Sequence, residues 1–275
     1  MQRTFDNVTG PLTLDLRVQA GSIGVAAEDT NQVEVELEPL NEAARQALDA
    51  VVVDLRARGD GHVLVVEVPE WRGMGFFGRG REFDLRIRCP QRPDVKVRSA
   101  SADFAGRGAL ASLEVKTASG DLEAEQVDGE VRLQSASGDT ELGAVGGSIE
   151  VNTASGDVTI GRADGAVRAR LVSGDLALRD ARDSVEVQTV SGDQRLEAVS
   201  GGSIGLGSVS GDIRVGVRQG TNVWMDVRSL SGDTTSELTP TDGPTSDDAP
   251  LVELRIKSVS GDVRIESAAA SPLEA

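Results

Sequence analysis

The sequence predicts an all-β chain built as a β-solenoid, and two observations predict it. Ser-Gly-Asp begins at Ser119, Ser137, Ser155, Ser173 and Ser191, each 18 residues after the last, and recurs at Ser210, Ser231 and Ser260. Each 18-residue period also divides into two similar halves of nine, as in SGDLEAEQV followed by DGEVRLQSA. A fixed period of this kind marks an architecture in which each repeat packs only on its neighbours.

The halves set the geometry of one coil. Apolar residues occupy the fourth, sixth and ninth positions: Leu122, Ala124 and Val127; Val131, Leu133 and Ala136; Ile149, Val151 and Ala154; Val158, Ile160 and Ala163. The fourth-to-sixth step is strand alternation. The step to the ninth breaks it, so a corner is expected there, turning the small residue before Ser-Gly-Asp inward. Glycine in that corner supplies a backbone conformation other residues adopt at a cost. Two strands and two turns then make one coil, and stacking pairs each strand with its copies about 4.8 Å away. An antiparallel meander of nine-residue units would leave its apolar face uncovered.

Taken in order, residues 1–91 form a β-rich capping section. Leu12, Leu14, Leu16 and Val18 alternate, as do Val33, Val35 and Leu37, then Leu85 and Ile87. Asn41 followed by Glu42-Ala43-Ala44-Arg45-Gln46-Ala47-Leu48 predicts one short capped helix near 41–50. The repeat phase starts at about Arg92, with Val95, Val97 and Ala100 in the fourth, sixth and ninth places, and runs over 92–267. The acidic, proline-rich stretch 234–250 reads as an inserted loop, and 268–275 as a disordered tail.

Composition narrows the function classes. The 275 residues hold 32 Gly, no Tyr and 3% aromatics, so a narrow core of Val, Leu, Ile and Ala is expected. A net charge of −17 opposes nucleic acid, which needs clustered Lys and Arg, and anionic membrane surfaces too. No apolar run reaches the ~20 residues that span a membrane. The opening MQRTFDNVTGPLTLDL lacks the apolar run and cleavage site of a secretory leader, so the sequence as given reads as cytoplasmic. A surface location would require a leader ahead of it. The single Cys89 makes no internal disulfide, and the fold needs no oxidising compartment.

The regular Asp column is the first candidate site: Asp103, Asp121, Asp139, Asp157, Asp175, Asp193, Asp212, Asp233 and Asp262. Stacked carboxylates repel. The expectation is that each accepts a backbone N–H in its own turn. A weak cation ladder is the alternative, since calcium-binding β-rolls also use nine-residue halves. The opposite turn edge, with Asp128, Gly146, Asp164 and Arg182, is too irregular to complete the six to eight oxygens calcium needs. No metal site or cofactor is expected. The second candidate is the stretch WRGMGFFGRG, in which Trp71, Met74, Phe76 and Phe77 could form an interaction loop or fold over the first coil. Nucleophilic catalysis finds no support, because the repeated Ser residues have no His beside them and Cys89 has no base partner. Polysaccharide-cleaving β-helices need a few clustered carboxylates in a groove, whereas these are spread evenly.

The pattern T-[AV]-S-G-D-[VIL]-x-[VIL], as in TASGDVTI, SVSGDIRV and SVSGDVRI, resembles a bacterial family of unknown function catalogued as putative adhesins with β-strand repeats. The resemblance includes the first turn Ala20-Gly21-Ser22-Ile23 and the C-terminal copies. It implies surface binding and supplies no catalytic residues. The reading is a non-enzymatic binding module whose coil faces display Glu123, Glu125, Arg132, Gln134, Arg168 and Arg170 to a protein or surface ligand. A self-assembling cytosolic scaffold joined through solenoid ends is the second reading, and a polysaccharide-active enzyme the third.

Overall fold

The computed structural model describes residues 1–69, 80–238 and 249–268. The chain divides into two compact units, Met1–Thr140 and Glu141–Ala275. Both are β-solenoid, with mainly parallel strands in two sheets and no closed barrel.

In the first unit one sheet runs in the order Gln2–Phe5, Val33–Pro39, Glu82–Pro90, Ala20–Glu28, Ser101–Leu110, Leu122–Val127. The other runs Val52–Arg58, Gly61–Glu67, Leu12–Arg17, Asp94–Arg98, Ser112–Lys116, Val131–Ser135. Leu12–Arg17 and Ala20–Glu28 pair in parallel with strands on both sides, so the first coil in sequence is an inner rung. The outermost strands are antiparallel additions, Gln2–Phe5 on Val33–Pro39 and Val52–Arg58 on Gly61–Glu67. Between them runs the helix Glu42–Ala47, continued by the 3-10 turn Leu48–Ala50. Asn41 caps it, its side chain accepting the Ala44 N–H at 2.8 Å, and Ala44 and Ala47 are buried. Antiparallel strands and a helix thus blunt this end of the sheets.

Alternation decides which side chains enter the core. Leu12, Leu14, Leu16 and Val18 are buried, and in the facing sheet Ile23, Val25 and Ala27. Like stacks on like: Val95 pairs with Leu113 and Leu113 with Val131, while Val97 pairs with Val115 and Val115 with Leu133. The offset of 18 residues per rung is the sequence period itself. Among the described residues Phe83 and Phe104 are the buried aromatics of the core.

In the second unit the strands from Ile149 to Ser267 pair in parallel. One sheet runs Thr140–Val145, Val158–Ala163, Leu176–Ala181, Gln194–Val199, Ile213–Val217, Val263–Ser267, Thr234–Ser236. The other runs Ile149–Ser155, Val167–Ser173, Val185–Ser191, Gly202–Ser210, Leu251–Ser260, Asn222–Ser231. The last coil in sequence has slipped between the two before it: Leu251–Ser260 lies between Gly202–Ser210 and Asn222–Ser231. Val263–Ser267 likewise lies between Ile213–Val217 and Thr234–Ser236.

The Ser-Gly-Asp turns explain their glycine twice over. Gly138 has φ 110° and Gly174 φ 131°, in a region open essentially to glycine alone. A Cβ on either would also collide with a carbonyl oxygen of the neighbouring turn, that of Gly120 or Gly156.

The structure corrects the expected inward turn of every ninth residue. Val127, Val145 and Ala163 are buried as expected. Ala136 and Ala154, which precede Ser-Gly-Asp, and Ala100, which precedes the degenerate copy Ser101-Ala102-Asp103, point outward and are exposed. In that half the strand keeps alternating through its eighth position, so Thr153, Leu171, Thr189 and Ser208 face inward instead. Two boundaries also differ. Thr234–Ser236, expected to open a loop, is a strand. Ala268, placed in the tail, is buried and donates its N–H to the Val217 carbonyl at 2.8 Å. The rest of that tail, and 239–248 of the 234–250 insert, lie outside the described residues.

Candidate functional site

The Asp column is built into the backbone of adjacent coils. The Oδ1 of Asp103 accepts the N–H of Asp121, and that of Asp121 the N–H of Asp139, each at 2.9 Å. In the second unit Asp157 accepts from Asp175, Asp175 from Asp193 and Asp193 from Asp212, each at 2.8 Å. The acceptor thus serves the next coil, rather than its own turn as the sequence suggested. The slipped coil reorders the column: Asp212 accepts from Asp262 and Asp262 from Asp233. Among the described residues no group of three His, Cys, Asp or Glu is placed to hold a metal ion.

In three of the turns a hydroxyl two residues before the turn Ser ties the turn from inside. Thr117 donates to the Ser119 carbonyl at 2.6 Å, Ser135 to that of Ser137 at 2.7 Å and Thr153 to that of Ser155 at 3.0 Å. An inward hydroxyl with a partner this close avoids the penalty of burying an unsatisfied polar group.

A different surface stands out on the second unit. The outward residue before Ser-Gly-Asp is Ala154 in the coil of Ile149–Ser155, then Val172, Val190 and Val209, then Val259 and Leu230. The strands on which the last five sit are neighbours in register, so they form one aliphatic stripe. The four valines are 46–55% exposed and Leu230 is 83% exposed. Four inter-strand steps make the stripe roughly 19 Å long.

Beside the stripe the strand Gly202–Ser210 presents Gly205 and Gly207 outward, between buried Ile204, Leu206 and Ser208. Their register partners are Glu186 and Gln188 on one side, Arg255 and Lys257 on the other. Two missing side chains leave a trough, part of an open groove of about 670 Å³ that also takes in Arg170, Val190, Val209 and Val259. Neither backbone conformation nor space for a Cβ demands glycine at either position. Neither residue has a positive φ, and a Cβ on either would meet nothing closer than 3.9 Å. Glycine weakens a strand, and in a strand interior it often marks a close approach by another chain or ligand. Across the core, Gln194 takes a place that its register partners fill with Leu176 and Ile213. Its Nε2 donates at 2.8 Å to both Thr189 Oγ1 and the Gly207 carbonyl, bracing the trough strand from below.

The groove is basic within an acidic protein. Arg170, Arg255 and Lys257 line it against one carboxylate, Glu186, which pairs with Arg168 at 3.0 Å. Arg255 lies 5.6 Å from the ring of Trp224 and pairs with Glu253 at 3.1 Å.

The remaining candidates fall elsewhere. Trp71, Met74, Phe76 and Phe77 lie outside the described residues. Cys89 is buried; desolvation, with a smaller contribution from Glu28, pushes its thiol up to about 12, so it stays protonated and poorly nucleophilic. His62 touches the Thr9 carbonyl at 3.1 Å on an exposed surface. The coil-face residues Glu123, Glu125, Arg132, Gln134, Arg168 and Arg170 are exposed as expected. Sequence reading did not single out the stripe or the trough. The signals were present: the residue before Ser-Gly-Asp changes from Ala118, Ala136 and Ala154 to Val172, Val190, Val209, Leu230 and Val259, and SIGLGS places glycine at both outward positions.

The family model described as Toastrack DUF4097 matches residues 13–266, which takes in nearly every strand of both units. The chain belongs to this family. The Toastrack chain is similar, at 14% identity and TM-score 0.43, to a putative adhesin from Bacteroides fragilis, with 96% of each chain covered. It is similar at 13% identity and TM-score 0.36 to a putative adhesin from Parabacteroides distasonis, again with 96% of each chain covered. A structure from the same organism described as a putative lipid binding protein matches at 14% identity and TM-score 0.40, with 98% of this chain and 94% of that one covered. No curated protein matches the Toastrack chain. Among its described residues no helix is long and apolar enough to cross a membrane.

Proposed function

We propose that this chain is a non-enzymatic, adhesin-like binding module whose ligand surface is the aliphatic stripe with its glycine trough. The observation that carries the reading is Gly205 and Gly207, two outward strand glycines that neither backbone conformation nor space demands. They clear the backbone for an approaching segment beside Val190, Val209 and Val259. The partner that fits is an extended polypeptide segment bearing aliphatic side chains and carboxylates. Its side chains would cover the valines, and its acids would meet Arg170, Arg255 and Lys257.

Selection of displayed extended peptides on the immobilised protein tests this. Aliphatic, acidic peptides should be enriched. They should bind the double variant Val190→Glu/Val209→Glu at least about tenfold more weakly, because two carboxylates would interrupt the apolar stripe. Equal binding to the variant, or enrichment of no such peptides, counts against the reading.

A further inference from the structure

The second unit ends on an unpartnered coil. Asn222–Ser231 and Thr234–Ser236 are the outermost strands of their sheets, and among the described residues nothing pairs with their free sides. Asn222 donates its N–H to the Pro250 carbonyl at 2.8 Å, so its backbone faces the neighbouring strand. Strand alternation then aims the N–H and C=O groups of Val223, Met225, Val227 and Ser229 at the free edge. Core packing also stops short here. Met225 is 41% exposed, whereas Leu254, its register partner one rung in, is fully buried. Val223 and Val227 are half-buried, while their partners Val252 and Ile256 are fully buried. A ten-residue edge of this kind is a template for another strand.

We propose that the edge is covered by a second copy of this chain, in an antiparallel, two-fold pairing of Asn222–Ser231 centred on Val227. The outward side chains select that occupant and that register. They read Trp224, Asp226, Arg228, Leu230. With the axis at Val227, Asp226 lies opposite Arg228 of the second copy and Arg228 opposite its Asp226. Trp224 lies opposite Leu230, and the reverse. Centring on residue 226 would oppose two aspartates, and centring on residue 228 two arginines; like charges directly opposed are destabilising. The same register makes 225 with 229, and 227 with 227, hydrogen-bonded pairs. It places the Asp–Arg and Trp–Leu contacts at non-bonded pairs, where side chains come closest. Within one chain Asp226 and Arg228 already pair at 3.0 Å, so the dimer joins two such pairs into an alternating cluster of four charges. The interface is isologous and closes on itself. It is separate from the stripe variants at Val190 and Val209, so either reading can fail alone.

Sedimentation velocity of the full chain over a concentration series tests the proposal. The wild type should form a dimer and nothing larger. Asp226→Arg alone and Arg228→Asp alone should each weaken dimerisation at least about tenfold, since each replaces two attractive contacts with two repulsive ones. The double variant D226R/R228D should restore it. Independently, Trp224→Cys mixed with Leu230→Cys should give a disulfide-linked dimer under mild oxidation, because that non-bonded pair brings the two Cβ atoms closest, while Trp224→Cys mixed with Arg228→Cys should not. A wild type that stays monomeric, single variants that dimerise like the wild type, open-ended polymers, or equal cross-linking in both mixtures would overturn it.

Discussion

The Oδ1 atom of Asp175 accepts the N–H of Asp193 at 2.8 Å, and asparagine would offer the same acceptor without the charge. Asp157 and Asp193 stand in the same column on either side of Asp175, so the ionised form carries a repulsion that the amide lacks. Asp175→Asn should therefore be as stable as the wild type or slightly more so, and Asp175→Ala less stable by about 1 kcal/mol, the worth of one hydrogen bond. Thermal melts in calcium and in chelator should coincide for the wild type. A calcium ladder would reverse the order, making Asn as damaging as Ala and the chelator melt lower. The glycines of these turns were legible in the sequence because φ and space both forbid a side chain. The outward Ala136 and Ala154 were not. A small apolar residue suits an inner corner and an outer surface equally, and hydroxyl side chains at the true inner position hide the alternation.

At the scale of strands, the first and last coils in sequence are both inner rungs. Leu12–Arg17 and Leu251–Ser260 are the first coil strand and the last long strand in sequence, yet each pairs on both sides. Fraying them would break two ladders rather than one. Backbone amides of Leu251–Ser260 should thus exchange with solvent as slowly as those of Gly202–Ser210, despite lying close to the chain terminus. Rapid exchange there, of the kind expected at a loose end, would contradict the strand order. The repeat sequence could not reveal the slip. SVSGDIRV at Ser208 and SVSGDVRI at Ser258 are interchangeable as rungs, and periodicity says that copies stack without saying in which order. The Asp column suffers the same ambiguity, running from Asp212 to Asp262 and only then to Asp233.

For the molecule as a whole, the architecture and the proposed binding surface use different residues of the same repeat. The Ser-Gly-Asp turns and inner aliphatic rows build the coils, and these were readable because they recur. The stripe and trough depend on departures from the repeat: valine in place of alanine before the turn, and glycine at Gly205 and Gly207 where other coils carry charged or amide side chains such as Arg168, Arg170, Glu186 and Gln188. Averaging over copies removes those signals. The most direct test of the claim that these glycines serve binding is to fill the trough with Gly205→Val/Gly207→Val, and to measure melting temperature and peptide affinity on the same protein. Valine suits a strand better than glycine by up to about 1 kcal/mol per site, and a Cβ at either position meets only ordinary contacts. The account predicts an unchanged or higher melting temperature together with loss of binding. A lower melting temperature would make the glycines a requirement of the fold, and retained affinity would place the ligand elsewhere; either result would contradict it.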